Sequence, residues 1–217
     1  AHAVEREFRV ITALAESELP VPRTHFLCED PEEIGTVFFV MDYVCGNVFT
    51  DPGLPGLSIS EIGVRNPQGM ALSPFDNTIY LSNHGARGGD WFGTANYGEN
   101  YGWKILGWGG TNYSGIKIGP KWKPGFTKAI KYWVPSIAVS AITIYKGEEF
   151  KEWKGDALVT SLKDQSLRKI KFKGNKFINE EIIFKGNIGR IRDIKIHKET
   201  GELYMLSDNG ELWRMHK

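Results

Sequence analysis

Lysine is missing from the first 103 residues; the first in the chain is Lys104. Residues 1–57 set three arginines against ten acidic side chains, a balance of −7, whereas residues 58–217 carry all 18 lysines and six arginines against 16 acids, a balance of +8. The total of +1 excludes a dominant electrostatic attraction to nucleic acid or to an anionic membrane. Only two cysteines occur, Cys28 and Cys45, too few for a disulfide framework and without the spacing of a zinc site, so buried free thiols are expected. The histidines, His84 and His197 among them, show no metal-ligand spacing. No apolar run is long enough to cross a membrane, and the charged opening AHAVEREFRV lacks the apolar core of a signal peptide. Helical periodicity is nearly absent beyond residue 58.

What is present divides at the same place as the lysines. A shift in composition of this kind indicates two segments, and the Pro- and Gly-rich stretch DPGLPGLSISE (51–61) puts the join near Ser58. Upstream, Val4, Phe8, Ile11 and Ala15 recur at helical spacing, which predicts an amphipathic helix over 3–16. The prolines of LPVPR end it. TVFFVMDYV (36–44) is β-branched and aromatic and is expected as a buried strand. The result is a small α/β piece.

These upstream motifs, AHAVEREFRVITAL, LPVPR and TVFFVMDYVCGNVF, resemble the aminoglycoside-phosphotransferase-like kinase family, from the regulatory helix to the hinge strand. The resemblance matches Glu7 to the glutamate that pairs the ATP-binding lysine, and Met41 to Val44 to the adenine-contacting hinge. Phosphoryl transfer needs a lysine, a phosphate loop and a catalytic aspartate with metal-binding acids. No lysine precedes Lys104, and no H-G-D…N loop follows, so a kinase remnant kept for packing is the expectation.

Downstream, GMALSPFDNTIYLSNHG (69–85) and DIKIHKETGELYMLSDNG (193–210) share one plan. Each has a short apolar strand, a polar turn, and an apolar-Tyr-apolar strand that ends in Ser, a polar pair and Gly. Between them SAITIYKG, GDALVTSL, SLRKIKFKG and NKFINEEIIFKG supply four strand-length runs. Sheets recurring every 40–50 residues or so mark a mainly β fold, a partial β-propeller of about four blade-like sheets; a β-sandwich is the rival architecture. In GVRNPQGMALSP, Pro67 biases Asn66 toward an extended conformation, so Arg65 and Asn66 stand at the mouth of a strand.

Five motifs in order, RNPQG (65–69), HGARGGD (84–90), GENYGW (98–103), SLKD (161–164) and GRIRDI (189–194), resemble the pyrroloquinoline-quinone (PQQ)-dependent soluble aldose-sugar dehydrogenases of the glucose/sorbosone dehydrogenase family. The resemblance implies the C-terminal half of a six-bladed propeller, an oxidoreductase acting on an aldose sugar at its anomeric carbon, and a periplasmic or extracellular location. It implies PQQ contacts from Arg65, Asn66, Lys163, Arg190 and Arg192, and calcium bound by the carbonyls of Gly85 and Ala86. PQQ is a flat tricarboxylate, and guanidinium groups suit it through charge-assisted bonds. Arg190 and Arg192, two apart, are expected on one side of a strand with Ile191 on the other.

Plainer readings stay open beside these. Lys163 with Asp164, and Arg192 with Asp193, would make surface ion pairs; Trp133 and Ser136, in YWVPSI, fall where the family lines the pocket, with core packing the equal alternative for Trp133; Gly85, Gly88 and Gly89 make a simple hairpin. The resemblance departs at Val64, where the family has His, and at WFGTANY (91–97), which is expected to be a poor strand. The family's catalytic base, a histidine of the N-terminal half, has no counterpart, so the catalytic residue is unassigned and a non-catalytic propeller fragment is the alternative function. Exposed edge strands of an open propeller are expected to favour self-association.

Overall fold

The computed structural model describes residues 4–15, 23–30, 32, 37–42 and 61–217. The chain divides into two compact units, Ala1–Ser58 and Ile59–Lys217; the join expected near Ser58 lies outside the described residues.

In the first unit the amphipathic stripe forms helix α1 (Val4–Leu14). Two strands follow, β1 (Thr24–Cys28) and β2 (Phe38–Met41), paired antiparallel. Sequence periodicity did not disclose β1. The strand expected over 36–44 forms, but it is not buried: Val40 and Met41 are exposed. Cys28 is a free thiol and half-buried rather than buried, with its Sγ donating to the Asp30 carbonyl (3.6 Å). Cys45, Tyr43, Val44 and the side chain of Glu7 lie outside what is described.

The second unit opens with β3 (Glu61–Ile62). An antiparallel meander, β4 (Pro67–Leu72), β5 (Ile79–Asn83) and β6 (Asp90–Thr94), comes next. The chain then leaves the sheet, pairs β7 (Glu99–Asn100) in parallel with β3, and makes a long loop before β8 (Lys131–Trp133) completes the order β4-β5-β6-β8. The second sheet runs outward as β9 (Val139–Ile144), β10 (Ala157–Ser161), β11 (Ser166–Lys173) and β12 (Lys176–Lys185). The third is β13 (Ile191–Ile196), β14 (Leu203–Ser207) and β15 (Leu212–Met215). Among the described residues of this unit there are thus three blade-like sheets and a two-stranded pair, not four full sheets. The two sequence repeats are the β4–β5 and β13–β14 hairpins, and the four runs between them form the second sheet.

WFGTANY is not a poor strand. Its first half is β6, buried along its whole length, and the reason is the loop that follows. Tyr101 returns from that loop to stack on Trp91 (ring centroids 3.9 Å apart) and donates its hydroxyl hydrogen to the Thr94 carbonyl (2.8 Å). Gly93 makes this approach feasible, because a Cβ there would strike the Tyr101 ring, 2.9 Å from Cζ. Tyr101, Leu106 and Trp108 so give the first sheet a small core on one side. On its other side it packs on the second sheet through Tyr80, Phe92, Ile142 and Val159. Leu158, Leu167, Ile194 and Leu203 then join the second sheet to the third.

Candidate functional site

A line of hydroxyls brings the first strands of the three sheets together. Ser82 Oγ donates to the Ser140 carbonyl (2.8 Å), and Ser140 Oγ donates to the Ile191 carbonyl (2.6 Å) while lying 2.8 Å from Thr160 Oγ1. Gly69 approaches the same point so closely that a Cβ would meet Ser140 O and Ile142 N at 2.7 Å. Gly69, Ser140 and Ile191 each lie near the beginning of an inner strand, β4, β9 or β13. Those strands therefore start at one shared end of the unit. Arg65 and Asn66 precede β4, Gly85 and Ala86 follow β5, Lys163 follows β10, and Arg190 and Arg192 open β13. The fold brings every sequence-predicted site residue to this end.

The local geometry of each differs from simple expectation. Asn83 Oδ1 accepts the backbone N–H groups of Arg65 (2.9 Å) and Asn66 (2.7 Å), which fixes the chain entering β4. The Arg65 side chain folds onto the loop after β5: Nη1 donates to the carbonyls of His84 (3.2 Å) and Gly85 (2.8 Å), and the guanidinium lies over Trp103. His84 Nδ1 donates to the same Gly85 carbonyl (2.6 Å). Asn66 is exposed, its Oδ1 accepting from Gln68 Nε2 (2.6 Å).

The loop from Gly85 to Gly89 is more than a hairpin. Asp90, wholly buried, takes the Gly85 N–H on Oδ1 (2.8 Å), and the Ser136 hydroxyl (2.9 Å) and Val139 N–H (3.2 Å) on Oδ2. Ser136 is therefore a buried brace of this loop, not a pocket wall. Trp133 is core; its indole N–H donates to Glu180 Oε1 (2.8 Å). Of the two expected calcium ligands, the Gly85 carbonyl does not fit as folded: it already accepts from Arg65 Nη1, a cation, and from His84 Nδ1.

The arginine pair behaves as the alternation requires. Ile191 is buried, and Arg190 and Arg192 point together to the other side, half-exposed. Their partner is Asp208: Arg190 Nε donates to Oδ2 (2.6 Å), and Arg192 donates to both oxygens. Asp193 pairs instead with Lys195 (3.3 Å), so the expected Arg192–Asp193 pair is absent. Hydrogen bonds from Arg192 and Arg190 hold the Asp208 carboxyl below the usual carboxylate range. Asp208 escaped sequence reasoning, though it left a signal: in the aligned repeats SNHG and SDNG it occupies the place of Asn83, the residue that anchors Arg65.

Lys163 is exposed and its ammonium group makes no ion pair among the described residues. Asp164 turns away from it to Arg168 and to Lys185 (2.5 Å). Arg168, almost wholly buried, also donates to Glu180 (2.6 Å), which Lys131 holds from its other side (2.8 Å). Burial opposes both carboxylates, yet hydrogen bonds from Lys131, Trp133 and Arg168 to Glu180, and from Lys185, Arg168 and Ser166 to Asp164, outweigh it and hold both below their ordinary values. This network braces the second sheet under Lys163. The end of the unit thus presents an unpaired lysine and a partly neutralised arginine pair on a rigid base, an arrangement suited to a flat polyanion.

Comparison with known proteins finds relatives of both segments. Residues 1–63 match the family model described as phosphotransferase enzyme family, and Acyl-CoA dehydrogenase family member 10 of Mus musculus is 53% identical over 61 residues, 28% of this chain and 6% of its own. Aldose sugar dehydrogenase YliI of Escherichia coli is 38% identical over 163 residues, 72% of this chain and 43% of its own. The crystal structure of the apo-form of the soluble aldose sugar dehydrogenase from Escherichia coli superposes with a TM-score of 0.68 at 32% identity, covering 79% of this chain and 51% of that one. The PQQ-bound form of the aldose sugar dehydrogenase from Streptomyces coelicolor shares the fold (TM-score 0.55, 22% identity, 74% of this chain and 43% of that one). The chain spans about half the length of these dehydrogenases. Since residues 43–214 match the model described as glucose / sorbosone dehydrogenase, the chain belongs to that family.

Proposed function

We propose that the second unit binds PQQ at the shared end of β4, β9 and β13, as the cofactor-holding half of a sugar-oxidising active site whose substrate is the anomeric hydroxyl of an aldose. The observation that carries this reading is the convergence of Arg65, Asn66, Lys163, Arg190 and Arg192 on that end. Lys163 and the outward-facing nitrogens of Arg190 and Arg192 would hold carboxylates, while Asp208 fixes both guanidinium groups through their Nε atoms. Arg65 and Asn66 would face the ring from the first sheet. When bound, the ortho-quinone would supply the hydride acceptor for alcohol oxidation. Calcium is left out, because the Gly85 carbonyl already serves Arg65. Segments 1–57 and 58–217 are proposed as separate domains, and a periplasmic or extracellular site of action follows from the same family reading. Among the described residues no helix is long and apolar enough to cross a membrane.

The test is a titration of the purified chain with PQQ, followed by tryptophan fluorescence, beside Arg190→Ala and Arg192→Ala. A charge-assisted contact contributes about 1.5–3 kcal/mol, so each substitution should weaken binding about ten- to hundredfold. Unchanged affinity in both variants, or no binding by the native chain, would refute the assignment. The alternative reading is a propeller module that binds without turnover. Aldose-dependent reduction of an electron acceptor by the PQQ-loaded chain would exclude it.

A further inference from the structure

Between Glu99 and Glu148 the chain carries seven lysines and no acidic residue, although the sequence as a whole has nearly as many acids as bases. Most of this stretch is the long loop from β7 to β8 and β8 itself, the outermost strand of the first sheet. Lys121, Lys128 and Lys131 meet there at a cleft of about 570 Å³ walled by Tyr132, Val134 and Phe177. Lys131 pairs with Glu180 (2.8 Å), which does not line the cleft, and its ammonium group lies 4.6 Å from the Phe177 ring centroid. Lys121 and Lys128 have no acidic partner among the described residues, and Lys128 stands over the Trp122 ring, 5.8 Å from its centroid. The cleft therefore joins two uncompensated cations to aromatic walls.

That chemistry selects the ligand. A compact phosphate is best held by a guanidinium fork or a nest of backbone N–H groups, whereas ammonium groups on separate flexible stems suit carboxylates spread along a chain; no arginine lines the cleft. The electron-rich faces of aromatic rings attract the electropositive C–H face of a pyranose. Carboxylates spread along a chain of sugar rings make a uronate oligosaccharide. The cleft also adjoins the shared end of the inner strands. Val134 lies against Gly88, where a Cβ would stand 3.3 Å from its Cγ1, and Gly88 belongs to the loop that Arg65 contacts. Val134 and the stem of Lys121 flank Gly109 in the same way, each 3.3 Å from a Cβ placed there. We propose that the cleft binds an acidic oligosaccharide, its carboxylates on Lys121 and Lys128, its rings on Tyr132 and Phe177, and its reducing end directed past Val134 toward the shared end. The direction of the chain rests on the sugar-oxidising reading and names its substrate class, an aldose that ends an acidic chain; binding in the cleft needs no PQQ.

Calorimetric titration of the full chain with trigalacturonate, in the absence of PQQ, tests it beside maltotriose as the neutral trisaccharide. Trigalacturonate should bind at least about tenfold more tightly than maltotriose. The double variant Lys121→Ala/Lys128→Ala alters two exposed side chains, and its melting temperature checks that it folds. It should lose about tenfold or more of the trigalacturonate affinity, while Lys198→Ala, in the β13–β14 turn, should lose none. Raising sodium chloride from about 0.05 to about 0.5 M should weaken binding by the native chain more than by the double variant, because screening acts on the charged contacts. No binding of trigalacturonate, equal binding of maltotriose, an unchanged double variant, an equal loss in Lys198→Ala, or equal affinity for an oligothymidylate would each overturn the proposal. Because PQQ is absent from this titration, its failure leaves the cofactor assignment standing, and failure of the PQQ titration leaves the cleft standing.

Discussion

Replacing Asp90 tests how the loop beside Arg65 is held. The carboxylate is wholly buried and accepts three hydrogens, from Gly85 N, Val139 N and Ser136 Oγ. In Asp90→Ala the serine hydroxyl can turn to another acceptor, but two buried backbone N–H groups lose theirs. Each unsatisfied group costs about 1–3 kcal/mol, and loss of a buried charged partner costs about 3–5 kcal/mol, so roughly 4 kcal/mol is expected. That is a large share of the total stability of about 5–15 kcal/mol for an ordinary domain. Asp90→Asn keeps an acceptor for Gly85 but turns an NH2 group toward Ser136 and Val139. Ser136 can accept from it and Val139 cannot, so about 2 kcal/mol is expected for this variant. All seven tryptophans lie beyond residue 90, so urea unfolding followed by their fluorescence reports on the second unit alone. With a slope of about 2 kcal/mol/M, the midpoint should fall by about 2 M for Asp90→Ala and about 1 M for Asp90→Asn. A fall below about 0.3 M for Asp90→Ala would refute the role given to these hydrogen bonds.

Three further outcomes are expected. Arg168→Met should destabilise the second unit by about 2–4 kcal/mol at pH 7, since Glu180 keeps only Lys131 and Trp133, and Asp164 only Lys185 and Ser166, as side-chain partners among the described residues. Both carboxyls are depressed in the folded state, so the stability they contribute is present above their ordinary values and lost as pH falls through the lowered ones; the gap between native and variant, measured by urea titration, should narrow below about pH 4. Gly93→Ala should cost about 1–3 kcal/mol through collision with Tyr101, and adding Tyr101→Phe, which removes the nearest atom, should recover part of the loss in thermal unfolding. Arg65→Ala should bind calcium more tightly than the native chain in calorimetry, because the guanidinium no longer occupies the Gly85 carbonyl; equal affinities would show that the two cations do not compete there.

Local pattern was enough to disclose much of this molecule. Period-two alternation placed Arg190 and Arg192 on one side of a strand, and the repeated hairpin plan located β4–β5 and β13–β14, because both depend on neighbours a few residues apart. Five short motifs in order were enough to identify the family. Polar partners were a different matter. Ser82, Ser140 and Asp90 find theirs 58, 51 and 46 residues away, and a hydroxyl or carboxylate leaves no periodic trace of a bond at that range. Nor did residue type foretell β6, since the glycine that weakens a strand in isolation is the one that admits Tyr101. Charge was present in the sequence from the start; which charges meet was decided only by packing, which turned Asp208 toward the arginine pair, drew Arg65 onto the Gly85 carbonyl, and left Lys163 without an ion-pair partner among the described residues.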